Sequence, residues 1–228
     1  MDPCHARWAA FLQELCGSDA AGVRSVLDVC CGTGLMAAEL VALGYRVSGV
    51  DASAQMLARA RRRLGPDVPL VHEALPHLTL TGPFDAAVST LDGLNHLTPA
   101  ELGPAFAAIA GRLRPGGWLV ADLHTDAMME FARANAIVEG QSGGHRFTIT
   151  STVDVAGRTC DARIALRDGD GRGGFDEVHR QHFFRDGDVR AALAGAGFGA
   201  VAVTDEYTWE PVGDATLRAT WIARRAED

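Results

Sequence analysis

Val26-Leu27-Asp28-Val29-Cys30-Cys31-Gly32-Thr33-Gly34-Leu35-Met36-Ala37 is followed by a second apolar run that ends in Asp51. The stretch reads as a buried strand, a tight glycine turn and the first turn of a helix. Gly32 to Ala37 fits the spacing G-x-G-x-x-G/A, in which glycines let the backbone approach a ligand and turn at once into a helix. An acid after the second strand, here Asp51, is placed to accept hydrogen bonds from ribose hydroxyls. The arrangement seats a nucleotide-like ligand. On its own it suits a dinucleotide oxidoreductase almost as well as an S-adenosylmethionine enzyme.

Outward from this turn the chain alternates strands and helices. Pro3 to Cys16 is expected to be a helix with Trp8, Phe11, Leu12 and Leu15 on one face, where Trp8 either packs in the core or closes over the ligand. Leu35 to Leu43 is a helix closed by Gly44, and Arg46 to Val50 the second strand. Ser53 to Leu64 is a helix capped by Ser53 or Asp51 and stopped by Gly65-Pro66. Leu70 to His72 and Phe84 to Ser89 are the third and fourth strands, and Thr98-Pro99 with Glu101 opens a further helix. Arg114-Pro115-Gly116-Gly117 turns into a fifth strand, Trp118 to Leu123.

The pattern then changes. Ala127 to Ala136 looks helical, and three consecutive strand-like runs follow: Phe147 to Val155, Thr159 to Arg167 and Phe175 to Phe184. Gly157 marks a hairpin turn, and Gly169 to Gly174 a glycine-rich loop. Consecutive strands without crossover helices predict an antiparallel insert. A helix at Asp188 to Ala196 and strands at Ala200 to Tyr207 and Thr216 to Arg224 complete the chain. The expected fold is α/β: a Rossmann-like, doubly wound, mostly parallel seven-stranded sheet with a reversed final strand and a small antiparallel lid inserted after the fifth strand. Residues 1–125 and 186–228 form the binding domain in this reading, and 126–185 the inserted lid or substrate subdomain.

The 228 residues are 47% apolar, enough for a sizeable core, with no apolar run long enough to span a bilayer. Met1 to His5 lacks the pattern of a secretory signal, so the expected location is cytoplasmic, with no membrane partner. The net charge of −8 and the lack of a basic block argue against a nucleic-acid surface. Arg61-Arg62-Arg63 reads as a solvated helix face. All 21 basic residues are arginine, so neither a Schiff base nor a lysine general base is available. The five cysteines contain no CxxC pair and read as reduced, with Cys30 and Cys31 as small buried residues. No metal site is expected; a histidine-only site from His124, His179 and His182 has poor spacing.

Asp28, four residues before Gly32, separates the two ligand classes. A carboxylate repels a pyrophosphate but favours a cationic amino-acid end. A reversed final hairpin, rather than a second mononucleotide-binding half, points the same way.

At these residues the sequence resembles the class I S-adenosylmethionine-dependent methyltransferases. Asp28 to Gly34, Gly49-Val50-Asp51-Ala52, Phe84 to Ser89 and Leu113 to Val120 resemble four of their motifs, in order. The resemblance implies S-adenosyl-L-methionine as cofactor. It places Gly32, Thr33 and Gly34 under the methionine part, Cys30 at a usually small position, and Asp28 near the ammonium. It places Asp51 on the ribose, Ala52 and Met56 on adenine, Glu73 and Ala74 at the adenine edge, and the backbone of Thr90 and Leu91 at the ammonium. The family's N-terminal tyrosine has no match among Tyr45 and Tyr207, the two tyrosines present.

Leu91 to Leu97 follows the fourth strand and looks like the loop of small-molecule N-methyltransferases, including enzymes of amino sugars. The resemblance gives His96 the role of base or hydrogen-bond orienter, while Asn95 shapes the loop or touches substrate. His124 ends the fifth strand and is a candidate for the acceptor pocket. On the lid, His179 and Gln181 share one strand face and Arg180 and His182 the other. One face meets the acceptor, which makes His179 and His182 substrate candidates. The reading is methyl transfer to a small-molecule acceptor, amine preferred. An O-methyltransferase, a nicotinamide-dependent oxidoreductase and a non-catalytic cofactor-binding protein are the alternatives, and a homodimer stays open.

Overall fold

The computed structural model describes residues 3–17, 19, 22–142, 144–168 and 173–227. Seven strands form the main sheet: β1 (Ser25–Val29), β2 (Arg46–Asp51), β3 (Leu70–His72), β4 (Phe84–Ser89), β5 (Leu113–His124), β10 (Phe198–Asp205) and β11 (Arg218–Arg225). Their spatial order is β3-β2-β1-β4-β5-β11-β10. Of these, β11 alone runs against its neighbours β5 and β10. The sheet is therefore parallel except for one reversed final strand, as the sequence predicts. The order reverses between β1 and β4, which opens a crevice at their carboxyl ends, where ligands of doubly wound sheets bind.

Alternation along the strands divides the core. In β1, Leu27 faces a cluster with Leu102, Phe106 and Ile109 of α4 (Pro99–Ala110) and Val189 and Leu193 of α6 (Asp186–Gly195). Its neighbour Val26 faces Trp8, Phe11 and Leu12 of α1 (Pro3–Gly17) and Met36 and Leu40 of α2 (Leu35–Ala42). The sheet is thus covered on both faces. Trp8 is 1% exposed and stacks on Tyr207 at 4.8 Å between ring centroids. Of its two sequence readings, the structure takes core packing.

Local chemistry sets the helix starts. Ser53 caps α3 (Ala54–Leu64) by accepting the Met56 N–H at 3.2 Å. The Glu101 carboxylate accepts the Thr98 N–H at 2.8 Å in the expected capping box of α4. Arg61, Arg62 and Arg63 are exposed, and Arg63 donates to the Thr33 carbonyl in the glycine turn.

After α5 (Asp126–Ala134) comes a four-stranded antiparallel sheet, β6 (Ile137–Ser142), β7 (His145–Asp154), β8 (Thr159–Asp168) and β9 (Gly174–His182). The sequence predicts three of these strands and carries the α5 helix to Ala136; β6 is the strand it misses. The Gly157 turn joins β7 to β8 as expected. Most of the predicted glycine-rich loop, residues 169–172, lies outside the described residues, as do Met1 and Asp2. Cys160 and Ala162 of β8 pack with Met128 and Met129 of α5, so that face of the sheet looks inward. Among the described residues, no helix is long and apolar enough to cross a membrane.

Candidate active site

The crevice between β1 and β4 holds a cavity of about 550 Å³. Ten of the residues singled out from sequence line it: Cys30, Gly32, Thr33, Asp51, Ala52 and Met56 on the β1–β2 side, and Thr90, Leu91, His96 and His179 opposite. The glycine turn makes the close approach possible. Gly32 has φ +54°, and a Cβ there would stand where no protein atom comes within 4 Å. Gly34, also left-handed at φ +73°, has a different task. A Cβ there would lie 2.9 Å from Leu64 and 3.2 Å from Ala60, so this glycine lets α3 pack against the turn. It does not line the cavity.

Asp51 is fixed from both sides: Oδ2 accepts the Gly32 N–H at 2.8 Å and Oδ1 the Ser53 N–H at 2.8 Å. Its remaining lone pairs suit the hydroxyls of a ribose. Asp28 lies outside the cavity lining. It is 1% exposed, and neither carboxylate oxygen has a hydrogen-bond partner. Burial pushes its carboxyl up to about 8 against the pull of the Ala37 N–H, and the nearby Asp51 charge adds to the rise. An unpartnered buried acid beside the glycine turn is the kind of group that a nearby cation would stabilise in its ionised form. Burial likewise pushes the Cys30 thiol up to about 12, which keeps it protonated and inert as a nucleophile. Cys30 is half-buried rather than buried, with φ +58°, and Gly93 packs against it: a Cβ on Gly93 would lie 2.7 Å from that of Cys30.

The opposite wall is a strained turn. Leu91 and Asp92 both have left-handed backbones, φ +57° and +53°, which non-glycine residues adopt at a cost. Asp122, inside the end of β5 and 0% exposed, holds them there. Its oxygens accept the Leu91 N–H at 2.8 Å, the Asp92 N–H at 2.5 Å and the Tyr207 hydroxyl at 2.9 Å, with Arg218 Nε 3.5 Å away. Burial pushes Asp122 up to about 6, against the pull of the Arg218 charge. Arg218 also binds Asp92 at 3.0 Å and Glu206 at 2.9 Å. Sequence reading passes over Asp122, Tyr207 and Arg218. The signal for Asp122 is a charged residue in the apolar run Leu119 to Leu123, the signal that singles out Asp28.

The 3₁₀ turn Gly93–His96 carries the next residues. His96 Nδ1 lies 3.2 Å from the Arg180 carbonyl. A carbonyl only accepts, so Nδ1 carries the proton and Nε2 keeps its lone pair. Its ring centroid is 5.6 Å from that of His179, whose Nε2 lies 3.0 Å from the Glu177 carboxylate. On β9, His179 faces the cavity and Gln181 donates to Asp92. That settles which lid face looks toward the site. Arg180, on the other face, pairs with Asp161 at 2.5 Å.

Several candidates stand elsewhere. Asn95 is 0% exposed and spans two elements, donating to the His182 carbonyl at 2.8 Å and accepting the His124 N–H at 3.1 Å; it shapes the loop. His182 is on the face away from the cavity. His124 lines a separate cavity. The Glu73 carboxylate turns to Thr79, whose N–H it accepts at 2.8 Å, and neither Glu73 nor Ala74 lines the donor-side cavity. His5 of α1 lines the cavity unforeseen. Among the described residues, no cluster of three or more His, Cys, Asp or Glu side chains is arranged to hold a metal.

A reversed-strand doubly wound sheet, a glycine turn, a ribose-ready acid and a buried unpartnered acid define a cofactor-binding α/β enzyme. The family described as "Methyltransferase domain" matches residues 26–117. Over 202 residues the chain is 29% identical to a dTDP-3-amino-3,4,6-trideoxy-alpha-D-glucopyranose N,N-dimethyltransferase of Streptomyces venezuelae, covering 85% of this chain and 83% of the relative. An S-adenosylmethionine-dependent methyltransferase of Clostridium acetobutylicum superposes with TM-score 0.86 at 21% identity, over 96% of this chain and 91% of the other, a likeness of fold. S-adenosylmethionine-bound CalS10, an amino pentose methyltransferase of Micromonospora echinaspora, superposes with TM-score 0.72 at 26% identity, over 96% and 92%. The chain is an S-adenosylmethionine-dependent methyltransferase that carries a methyltransferase domain at residues 26–117, and it resembles the small-molecule N-methyltransferases.

Proposed function

We propose that the chain methylates an amine nitrogen of a small molecule of the amino-sugar kind, with His96 as the group that takes the proton. The observation that carries this reading is His96 lining the cavity with its Nδ1 donating to the Arg180 carbonyl, which leaves Nε2 as the ring's acceptor. S-adenosylmethionine, when bound, supplies a methyl group already activated on a sulfonium. Gly32, Thr33, Asp51, Ala52, Met56 and Leu91 would hold it, and their positions around one cavity support that assignment. The tasks left to the protein are to place the acceptor in line, keep water out and accept one proton.

The relatives' printed substrates, an amino sugar nucleotide and an amino pentose, favour an amine over a hydroxyl. The net charge of −8 favours a small molecule over a nucleic acid. Residues 126–185 form the acceptor-side unit in this reading, supported by His179 reaching the cavity from β9. The five free cysteines support a reducing, cytoplasmic compartment.

The test is a mass-spectrometric methylation assay over paired amine and hydroxyl acceptors. His96→Ala is expected to lower kcat by about 10²–10⁴ while leaving S-adenosylhomocysteine affinity unchanged. Near-wild-type turnover of the variant would remove His96 from the reaction.

A further inference from the structure

A second cavity of about 530 Å³ opens beside the end of β5 and shares no lining residue with the donor cavity. The two are close. Leu91 and Gly93 line the first, and Asp92 between them stands 3.6 Å from Nε2 of His124, which lines the second. The base of the second cavity is apolar: Val189, Ala219 and Trp221 are all buried. Its exposed side is cationic. Arg190 lies over the Trp221 ring at 5.4 Å and pairs with Asp186 at 2.7 Å, and Arg158 pairs with Asp126. Arg185 lines the cavity as well, and among the described residues it takes part in no ion pair, which leaves one positive charge in excess.

His124 stands between the two cavities. Its side chain is 6% exposed, and neither ring nitrogen has a hydrogen-bond partner. Nε2 is turned toward Asp92, 3.6 Å from its carboxylate, and burial pushes the imidazole down to about 4, so the ring stands neutral at the edge of the cavity. Its ring stacks on Phe183 at 5.9 Å, which fixes the plane but satisfies neither nitrogen.

We propose that this cavity is a second small-molecule site, for an organic anion with a flat apolar body. The body lies against Trp221 and Val189, beside the His124 ring, and the anionic group faces Arg185 and Arg190. The volume is in the range of small-molecule sites.

Anilinonaphthalenesulfonate, a flat apolar anion, is the probe, titrated into the full chain by fluorescence. Saturable binding of one equivalent is expected, with energy transfer from tryptophan. The double variant Arg185→Glu/Arg190→Glu and the plug Val212→Trp are each expected to weaken it by about tenfold or more. Neither touches the donor cavity, so S-adenosylhomocysteine affinity and circular dichroism should stay unchanged and report intact folding. The ring ¹⁵N signals of His124 should move on saturation. Lack of saturable binding, displacement of the probe by S-adenosylhomocysteine, or indifference to both variants would overturn the proposal.

Discussion

Asp28 and Asp122 are both carboxylates set inside apolar strands of one sheet, and their surroundings make them opposites. Asp122 is saturated: two backbone N–H groups, a phenol and an arginine converge on it. Asp28 is equally buried, and only the Ala37 N–H comes near enough to steady its charge. The first acid holds structure in place, and the second leaves room for charge from outside. Burial alone does not tell a scaffold acid from a binding acid; the count of donors around it does.

The largest expected effect breaks the scaffold side of the comparison. Asp122→Ala leaves the Leu91 and Asp92 amides, the Tyr207 hydroxyl and Arg218 without their shared acceptor. Urea denaturation should show a loss of about 3–5 kcal/mol. A loss below about 1 kcal/mol would mean that the turn holds itself.

Asp28→Asn tests the other side through pH. The folded carboxyl is raised to about 8 from 3.8, so the folded state binds the extra proton. Its contribution to stability is therefore complete below about pH 4 and declines toward pH 8, by about 1.4 kcal/mol per pH unit. The variant should flatten that slope. Calorimetry of S-adenosylmethionine at pH 7 in buffers of different ionisation enthalpy should show proton release in the native chain and none in Asp28→Asn. Equal heats across buffers for the native chain would show that the ligand's charge does not reach Asp28.

Tyr207→Phe removes one of the donors on Asp122 and should cost about 1.5–3 kcal/mol in the same urea titration. The smallest change comes from Arg63→Ala. It deletes an exposed contact to the Thr33 carbonyl and should shift stability by about 0.5 kcal/mol or less. A larger loss would make that arginine a strut of the glycine turn.

Most of the main sheet was readable because its strands are apolar runs bounded by turn residues and α3 and α4 open on side-chain caps. Strand β6 escaped because Ala136 to Ser142 offers few apolar residues, contains Gly140 and pairs on one side only, with β7. The cavity wall at the glycine turn was legible for a related reason: Gly32 and Asp51, which line it, sit in a local pattern whose geometry follows from spacing. Asp122, Tyr207 and Arg218 do not. They come from β5, the loop after β10 and β11, and meet only through tertiary packing. Glu73 misled because a bond six residues away to Thr79 claims its carboxylate. His124 misled because the end of a strand indicates the right edge of the sheet but not which cavity a ring enters.

The antiparallel sheet meets the Gly93–His96 turn through main chain. Asn95 and His96 donate to the carbonyls of His182 and Arg180, and every amino acid carries a carbonyl. Side chains along β9 can therefore be exchanged with these two bonds kept in register. On the proposed function, a lineage built on this scaffold can change the acceptors it accommodates while the imidazole stays where it was, so selectivity and reactivity can evolve on separate schedules.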